Sequence, residues 1–355
     1  MKKYIQSMVV ATGLTLIAAS TSVQAGDKVR PVLLKTPIAF GSHLPALGSP
    51  IKWVEEQLPL ISAGSVRMKI YEPGKLVAPL EILDAVSSGK INSGYATAGY
   101  WAGKMPAASL FSAIPFGPEA PEFMAWLYYG NGLNLYQKMY DDAGYNVHVE
   151  PCALISPETS GWFKEEITDL SDLQGLNMRF FGLGGEVMQK LGVSTSLLSG
   201  GEIFGALEKG AIDATEFSQP AIDELLGFYK IAKHNYFPGW HQQATLFELL
   251  INNKTWNKMS DSQQAQVSAT CKASITNSIA ESEFIQFEAM IKNQEERGVV
   301  IHSWSNEMLK TFNAAWDDVV IEQSQDETFD TVYKDLSEFR KNYAVWAQRA
   351  FIPRT

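Results

Sequence analysis

Arg179 is the residue whose surroundings point most directly to chemistry. It lies in an apolar stretch, Met178-Arg179-Phe180-Phe181, just before the glycine-rich segment 182–185. A guanidinium group is planar and can hold a carboxylate through two parallel hydrogen bonds. Burying its charge without an anion would be costly, so an inward-facing Arg179 requires a negatively charged partner. The residues alone favour a plainer interpretation, in which Arg179 ends an edge strand and pairs with a surface Asp or Glu.

Further polar side chains follow the next predicted strand and occupy an apparent loop. Glu216 stands at a strand tip in Ala214-Thr215-Glu216-Phe217. A carboxylate there suits a hard cation or a ligand hydroxyl, or is simply solvated. Residues 239–243, Gly-Trp-His-Gln-Gln, place aromatic and amide groups in a loop. This composition suits the enclosure of a ligand, and it also suits a packed turn with its polar groups exposed.

The sequence lacks the motifs of the common catalytic classes. Residues 182–185, Gly-Leu-Gly-Gly, follow a predicted strand, but Val187 stands where a dinucleotide-binding fingerprint needs its third glycine. No Gly-x-Ser-x-Gly elbow, P-loop or His-Glu-x-x-His motif occurs. The histidines are scattered without metal-ligand spacing, and we expect ordinary surface or core residues at His43, His148, His234, His241 and His302.

Short β-like runs alternate with amphipathic helical stretches, which predicts an α/β architecture. Predicted strands cover 30–36, 66–71, 91–97, 146–153, 161–164 and 177–181. Predicted helices cover 50–58, 79–88, 121–142 and 184–191. From residue 255 onwards the pattern is almost entirely helical, with long helices over 306–323 and 328–350.

Two segments of the chain resemble each other. Residues 81–92, EILDAVSSGKIN, align without gaps with residues 202–213, EIFGALEKGAID. Each is typical of a helix that a glycine stops before a strand, because glycine accepts the left-handed conformation at a helix end. Chance similarity of two helix–glycine–strand units explains the match equally well. If the repeat is real, the loops at 95–101 and 216–219 face each other across a cleft.

The N-terminal segment has the pattern of an export signal. Lys2 and Lys3 precede a short apolar core and the small residues of Val23-Gln24-Ala25, so we expect residues 1–25 to be removed from a periplasmic protein. The formal charge of −10 becomes −12 without the two lysines, which disfavours nucleic acid and anionic membranes as partners. An anionic ligand stays compatible, because distant charges are screened. We expect Cys152 and Cys271, far apart in sequence, to be unpaired core residues.

Numerous motifs occur in order along nearly the whole mature chain. They are Tyr71-Glu72-Pro73-Gly74-Lys75-Leu76, Ala85-Val86-Ser87-Ser88-Gly89, Tyr100-Trp101-Ala102-Gly103-Lys104, Ile114-Pro115-Phe116-Gly117, residues 161–167, 172–179 and 182–187, Ile212-Asp213-Ala214-Thr215-Glu216 and Pro238-Gly239-Trp240-His241. Together these motifs resemble those of the solute receptors of TRAP transporters (DctP type). The greatest similarity is to the subgroup whose members bind 2-oxoacids and lactate.

This resemblance implies an α/β, two-lobed periplasmic binding protein fold with a ligand cleft between the lobes and long C-terminal helices. We expect lobe 1 over 26–150 with part of 246–300, lobe 2 over 151–245, and C-terminal helices over 301–355 that wrap the body. The implied function is that of an exported receptor, not an enzyme. It binds a small carboxylate of the 2-oxoacid or 2-hydroxyacid type and delivers it to the membrane subunits of a TRAP transporter.

Carried over residue by residue, the resemblance implies a binding site. The implied ligand contacts are Arg179, Glu158, Tyr100, Trp101, Phe217 and Gln242. A Na⁺ or Ca²⁺ ion beside the ligand carboxylate is compatible with the subgroup, and its implied ligands are Glu216, the backbone of Phe217, Glu158 and Gln242. A monomer and a homodimer both fit. The alternative function is an exported enzyme that acts on a small carboxylate with Glu216 or Glu158 as its base.

Four positions depart from the subgroup pattern. Glu158 stands where a glutamine is usual and Gln242 where a glutamate is usual. The two changes cancel in charge, which suggests that both side chains face one site. Phe217 replaces a common tryptophan and Gly99 a common tyrosine. Because both replacements are smaller, we expect a roomier pocket than one made for pyruvate.

Overall fold

The computed structural model describes residues 30–350 and 352, so the predicted signal at 1–25 lies outside the described residues. Strands and helices alternate up to residue 252, and helices predominate beyond it. The strands are β1 (Val32–Pro37), β2 (Val66–Tyr71), β3 (Ser93–Ala96), β4 (Val147–Ile155), β5 (Gly161–Phe163), β6 (Asn177–Arg179), β7 (Ser194–Ser196), β8 (Ala214–Thr215), β9 (His234–Phe237), β10 (Thr245–Asn252) and β11 (Val300–Ser303). The α-helices are α1 (Ser49–Ile61), α2 (Ile82–Ser87), α3 (Ala120–Tyr129), α4 (Gly132–Asp142), α5 (Gly182–Lys190), α6 (Gly200–Glu208), α7 (Pro220–Leu226), α8 (Asn253–Trp256), α9 (Asp261–Phe284), α10 (Gln286–Arg297), α11 (Asn306–Gln323) and α12 (Glu327–Ala350).

Three sheets organise the described chain. Parallel strands β1 and β2 form the first, and the antiparallel order β3-β10-β4 forms the second. The third sheet has six strands in the order β11-β9-β5-β8-β6-β7. The chain passes from the second sheet to the third between β4 and β5, and it returns between β9 and β10. The two crossover segments are residues 156–160 and 238–244.

The two similar segments fold into the same unit. α2 is followed by Gly89 and β3, and α6 by Gly210 and β8. The two glycines have φ of +76° and +71°, a left-handed conformation that a side chain would strain. A capping box of Ser199 and Glu202 starts α6, because the serine side chain and the glutamate side chain satisfy each other's backbone N–H groups. The predicted helix–glycine–strand units are therefore confirmed.

The two C-terminal helices pack against helices from different parts of the described chain. α11 contacts α5, and α12 contacts α3 and α4. The buried side chains of α11 are spaced as on one helical face, which explains why the apolar pattern predicted this helix: Met308, Phe312, Ala315, Trp316 and Val319. No helix among the described residues is both long enough and apolar enough to cross a membrane.

The expectation of two unpaired cysteines is wrong, because Cys152 and Cys271 form a disulfide. Cys152 lies in β4 and Cys271 in α9, and this helix packs directly against the strand. Ser278 of α9 also hydrogen-bonds the backbone of Leu154 in β4. Tertiary packing thus brings together two residues that are distant in sequence, and the periplasmic location expected from the sequence is one where disulfides persist.

Candidate functional site

Arg179 and Glu216 lie at the carboxyl ends of two neighbouring parallel strands, β6 and β8. Arg179 is the last residue of β6 and is paired in register with Thr215, so that Glu216 follows directly beside it. Both side chains are buried, with exposed fractions of 1% and 0%. The carboxyl ends of parallel strands are where open α/β sheets bind their ligands.

The Arg179 guanidinium is held from three directions. Its Nη1 donates to the carboxylate Oε1 of Glu216 at 2.7 Å and to the Glu216 backbone oxygen at 2.7 Å, and its Nε donates to Leu198 O at 3.1 Å. The backbone N–H of Phe181 donates to the same Oε1 at 2.5 Å. No acceptor for Nη2 occurs among the described residues. The arginine is therefore fixed in place with one nitrogen left over for a ligand.

The two crossover segments supply the opposite side of the site. Glu158 lies on the segment between β4 and β5, while His241 and Gln242 lie on the segment between β9 and β10. The segments are bonded to each other, because Glu158 N donates to Gln242 O at 3.2 Å. All three side chains are buried. We call the group of Arg179, Glu216, Glu158, His241 and Gln242 the Glu216 cluster.

Acceptor atoms converge at the centre of the Glu216 cluster. One terminal atom of the Gln242 amide lies 3.0 Å from His241 Nε2 and 3.3 Å from Oε2 of both Glu158 and Glu216. The other terminal atom lies 2.9 Å from Thr245 Oγ1, which itself donates to Glu158 Oε1 at 3.0 Å. An amide nitrogen at the centre has two N–H groups and can donate to two of these three atoms at once. An amide oxygen there would instead provide a further ligand for a cation.

The donor set fits a hard cation. Glu158, Glu216 and His241 each offer a ligand atom, and these atoms lie within 4.8 Å of one another. Two oxygens bound at right angles to a Ca²⁺ ion at about 2.4 Å would lie about 3.4 Å apart, close to the 3.3 Å separations around the Gln242 amide. Carboxylate and amide oxygens are the ligands that Na⁺ and Ca²⁺ prefer. Glu158, Glu216 and Gln242 would hold the ion, with His241 beside them.

The two glutamates of the cluster have opposite pKa shifts. Burial raises the pKa of Glu216, but the Arg179 guanidinium, the hydrogen bond and charge of His241 and the Phe181 N–H outweigh it, so the net pKa is lowered. Burial and then the charges of Glu216 and Asp223 raise the pKa of Glu158 well above its usual range. Glu216 is thus the permanent anion, and Glu158 is an acid that a nearby cation would ionise.

A small cavity adjoins the Glu216 cluster. Its volume is about 20 Å³, close to the space that one buried water needs. Tyr100 lines this cavity, and its hydroxyl is buried without a hydrogen-bond partner among the described residues. Burial raises the pKa of Tyr100 to about 12, so the hydroxyl is a proton donor at neutral pH. The lining residues come from both sides of the crossovers: Phe40, Leu47, Thr97, Tyr100, Glu158, Arg179, Phe181, Phe217, Gln242, Thr245 and Phe247.

Five of the six implied ligand contacts line this cavity, and the loops at 95–101 and 216–219 meet there as the repeat predicts. Trp101 does not. Its ring is fully buried away from the cavity, and its Nε1 donates to Glu248 Oε1 at 2.8 Å. The prediction that Trp101 lines the pocket is therefore wrong, because the short 3-10 turn that points Tyr100 inward directs the next side chain into the core.

The expectation of extra room at Gly99 is also wrong. A Cβ atom at this position would lie 2.3 Å from Cζ of Phe181. The Phe181 ring thus fills the space that the missing side chain leaves. Sequence reasoning missed Phe181, His241 and Thr245 as site residues. A usable signal existed for His241 and Phe181, since they lie one residue from Gln242 and two residues from Arg179, both predicted contacts.

Comparison with known proteins decides the family. Residues 51–326 match the family model described as "Bacterial extracellular solute-binding protein, family 7", DctP. The chain belongs to this family. The monocarboxylate 2-oxoacid-binding periplasmic protein of Nostoc sp. is 34% identical over 354 residues, covering 97% of this chain and 95% of the relative. The resemblance stated from the sequence is therefore confirmed.

Solved DctP-family structures share the fold. A TRAP solute-binding protein of Bordetella bronchiseptica, a dimer with calcium and picolinate, has a TM-score of 0.87 at 28% identity and covers 90% of this chain and 95% of its own. One from Colwellia psychrerythraea, with calcium and pyruvate, has a TM-score of 0.85 at 29% identity, with coverage of 90% and 98%. One from Pseudoalteromonas atlantica, with sodium and pyruvate, has a TM-score of 0.84 at 28% identity, with coverage of 90% and 97%. These likenesses confirm the predicted two-lobed α/β fold with long C-terminal helices.

Proposed function

We propose that this chain is the periplasmic receptor of a TRAP transporter and that it binds a small 2-oxo or 2-hydroxy monocarboxylate together with a cation. One observation carries the proposal: a buried arginine, already fixed by Glu216, lines a small cavity and has no hydrogen-bond acceptor for Nη2 among the described residues. A cluster of converging acceptors lies next to it. A saturated structural ion pair would need neither feature.

The carboxylate of the ligand would be shared among three partners. The N–H groups of Nε and Nη1 already donate to protein oxygens, so Arg179 can bind the ligand carboxylate only through Nη2 and not through two nitrogens. The Tyr100 hydroxyl lacks a partner and supplies a second donor. The cation supplies the third contact. A charge-assisted hydrogen bond contributes about 1.5–3 kcal/mol net, so several such contacts are needed for tight binding.

Charge balance favours a divalent ion when Glu158 is ionised. Arg179 contributes one positive charge, and Glu216, Glu158 and the ligand contribute one negative charge each. Ca²⁺ brings the total to zero. With Na⁺ the total reaches zero only if Glu158 keeps its proton, which its raised pKa permits. Both ions are thus compatible, and each corresponds to a different protonation state of Glu158.

An oxygen next to the carboxylate explains the preference for a 2-oxoacid or 2-hydroxyacid. A cation can bind the carboxylate and this second oxygen at once, forming a five-membered chelate ring. Pyruvate has such an oxygen, and picolinate has a ring nitrogen in the equivalent place. The relatives named above bind these two compounds. We infer that the chelating pair, more than the rest of the ligand, is what this cluster recognises.

Release and uptake require the cavity walls to separate, since the present cavity holds little more than one water. The crossovers at 156–160 and 238–244 are the natural hinges, because they join the second and third sheets. We therefore propose that lobe 1 contains the first and second sheets, that lobe 2 contains the third sheet, and that α11 and α12 wrap both. This moves the lobe boundaries expected from the sequence to the two crossovers, and it places β11 in lobe 2 instead of among the C-terminal helices. The membrane subunits of the transporter would recognise the closed, liganded form, as a monomer or a homodimer.

A thermal-shift panel with mass spectrometry tests this function. Pyruvate, lactate and neutral sugars are added to EDTA-treated protein with and without CaCl₂ or NaCl. A ligand at 100 times its Kd stabilises a protein by about 2.7 kcal/mol, so we expect a rise of several degrees for pyruvate or lactate with a cation. Stabilisation by sugars alone would contradict the proposal. Conversion of the added acid into another compound would favour the enzyme alternative.

A further inference from the structure

We propose that the ring of Phe181 limits the length of the ligand side chain that this receptor accepts. This inference rests on the proposed function, because it concerns the far end of the same carboxylate site. It assigns a specificity role to a residue that lines the cavity and hydrogen-bonds Glu216 through its backbone N–H.

The Phe181 ring lies directly on the backbone of Gly99. A Cβ at residue 99 would be 2.3 Å from Cζ and 2.9 and 3.0 Å from the two adjacent ring carbons. Such distances mean that nothing separates the ring from the main chain. Phe181 is 5% exposed and Tyr100 is 7% exposed, so the contact is closed to solvent. Removing the ring would open space that is continuous with the cavity and ends at the Gly99 backbone.

The position of this ring is tied to the carboxylate-binding end of the site. Phe181 follows Arg179 by two residues, and its backbone N–H donates to Glu216 Oε1 at 2.5 Å. The backbone of Phe181 is therefore held to the same carboxylate that holds Arg179, and its ring is held against Gly99. A ligand whose carboxylate meets Arg179 must fit the rest of its length between that group and the Phe181 ring.

Beyond Phe181 the wall of the cavity is aromatic. Phe181 packs edge-on against Tyr100, with ring centroids 5.6 Å apart. Tyr100 stacks on Phe40 at 5.7 Å, and Phe40 meets Phe247 edge-on at 5.3 Å. An apolar ligand tail would extend along this wall. The intact Phe181 ring shortens the space available to such a tail, so we infer that short 2-oxoacids bind better than branched or long ones.

Calorimetry with two ligands tests the inference. The Kd values of pyruvate and 4-methyl-2-oxopentanoate are measured with CaCl₂ for the wild type, Phe181→Ala, Phe181→Leu and Gly99→Ala. We expect the wild type to prefer pyruvate. Phe181→Ala should shift the ratio of the two affinities at least about tenfold toward the longer acid, since a few methylenes in an apolar pocket discriminate by this much. Phe181→Leu should give a smaller shift, and Gly99→Ala, which pushes the ring into the cavity, a shift in the opposite direction.

Phe247→Ala is the matched comparison, because Phe247 lines the same cavity without covering Gly99. It should change the ratio less than Phe181→Ala does. An equal change, or an unchanged ratio in both Phe181 variants, would overturn the inference while leaving the proposed function intact. Binding of neither acid by the wild type would overturn both. If Phe181→Ala fails to fold, Phe181→Leu and Gly99→Ala decide the question.

Discussion

Two buried carboxylates, Glu216 and Glu248, show how differently one side chain can be used. Both have an exposed fraction of 0%. Glu216 is paired with a charged guanidinium, and its second oxygen faces other acceptors. Glu248 meets only neutral donors: Trp101 Nε1, the Tyr140 hydroxyl, at 2.8 Å each, and the Tyr136 hydroxyl. We call this second group the Glu248 cluster.

The pKa shifts of the two groups follow from these partners. Burial raises the pKa of Glu248 to about 7, since hydrogen bonds from Tyr136, Trp101 and Tyr140 offset the desolvation only in part. For Glu216 the charge of Arg179 and the contacts to His241 reverse the effect of burial. In the Glu248 cluster both carboxylate oxygens accept hydrogen bonds from the protein. In the Glu216 cluster the donor Arg179 Nη2 and several acceptor oxygens have no protein partner of opposite kind in the described part of the chain. Unpaired hydrogen-bonding groups in a buried site indicate a ligand.

The largest expected effect is that of Arg179→Ala. Removing the guanidinium leaves Glu216 buried without its partner, which should cost about 3–5 kcal/mol of unfolding free energy. Carboxylate affinity should fall by about 2–5 kcal/mol, or about 30- to 4000-fold. Chemical denaturation and calorimetry measure the two losses.

A second arginine provides the control. Arg340 of α12 pairs with Glu122 at 3.2 Å, with exposed fractions of 36% and 15%, and also donates to Phe116 O at 3.0 Å; neither Arg340 nor Glu122 lines the cavity. Arg340→Ala should cost no more than about 1 kcal/mol and leave the affinity unchanged. Equal losses in the two variants would show that the Glu216 cluster is an ordinary structural ion pair.

A smaller effect is expected at the Glu248 cluster and concerns pH. Because the folded pKa is about 7, the folded protein keeps this proton while the unfolded chain releases it above its ordinary pKa near 4.3. The contribution to stability is therefore complete below about pH 4 and is lost as pH rises to 7, by about 3 kcal/mol. Glu248→Gln removes this titration. The stability of the wild type relative to Glu248→Gln should fall by that amount between pH 4 and 7.

Urea denaturation at several pH values measures this difference. Glu338→Gln, on the exposed surface of α12, serves as the control and should follow the pH profile of the wild type. Ligand affinity should be nearly unchanged in Glu248→Gln, since Glu248 does not line the cavity. A strong loss of affinity in this variant would break the distinction between a structural and a ligand-binding carboxylate.

The smallest expected effect comes from exchanging Glu158 and Gln242, the two residues of the Glu216 cluster that depart from the subgroup pattern. Glu158→Gln removes a carboxylate from the cation ligands and should weaken cation-dependent binding about tenfold. The double variant Glu158→Gln/Gln242→Glu should recover most of it, because the central atom of the Gln242 amide lies 3.3 Å from Glu158 Oε2 and either position can supply the charge. Calorimetry with Ca²⁺ measures both. Additive losses in the double variant would contradict a shared cation site.

Elements with a clear periodic pattern could be predicted from the sequence. β2 alternates buried and exposed residues, and its bounds agree with the prediction. β10 escaped prediction because all of its eight residues are buried, so no alternation distinguishes it from a helix. β11 is a short strand inside a largely helical region. The disulfide depended on α9 packing against β4, a contact that sequence separation conceals.

The site was predictable where it depends on chain order and not where it depends on tertiary contact. Arg179 and Glu216 end neighbouring strands, so their pairing follows from a correct strand order. The direction of the Trp101 side chain depends on packing between distant segments, and so does the position of the Phe181 ring in the space beside Gly99. Glu158 and Gln242 are an intermediate case: their complementary departures suggested a shared site, and the structure places them in contact.

A crystal structure of the wild-type protein with pyruvate and Ca²⁺ tests the central claim most directly. We predict one carboxylate oxygen within hydrogen-bonding distance of Arg179 Nη2, and the ion bound by Glu158, Glu216 and the amide oxygen of Gln242. A pyruvate bound elsewhere, or a Gln242 amide whose nitrogen still points at the three acceptors with pyruvate bound, would contradict the account.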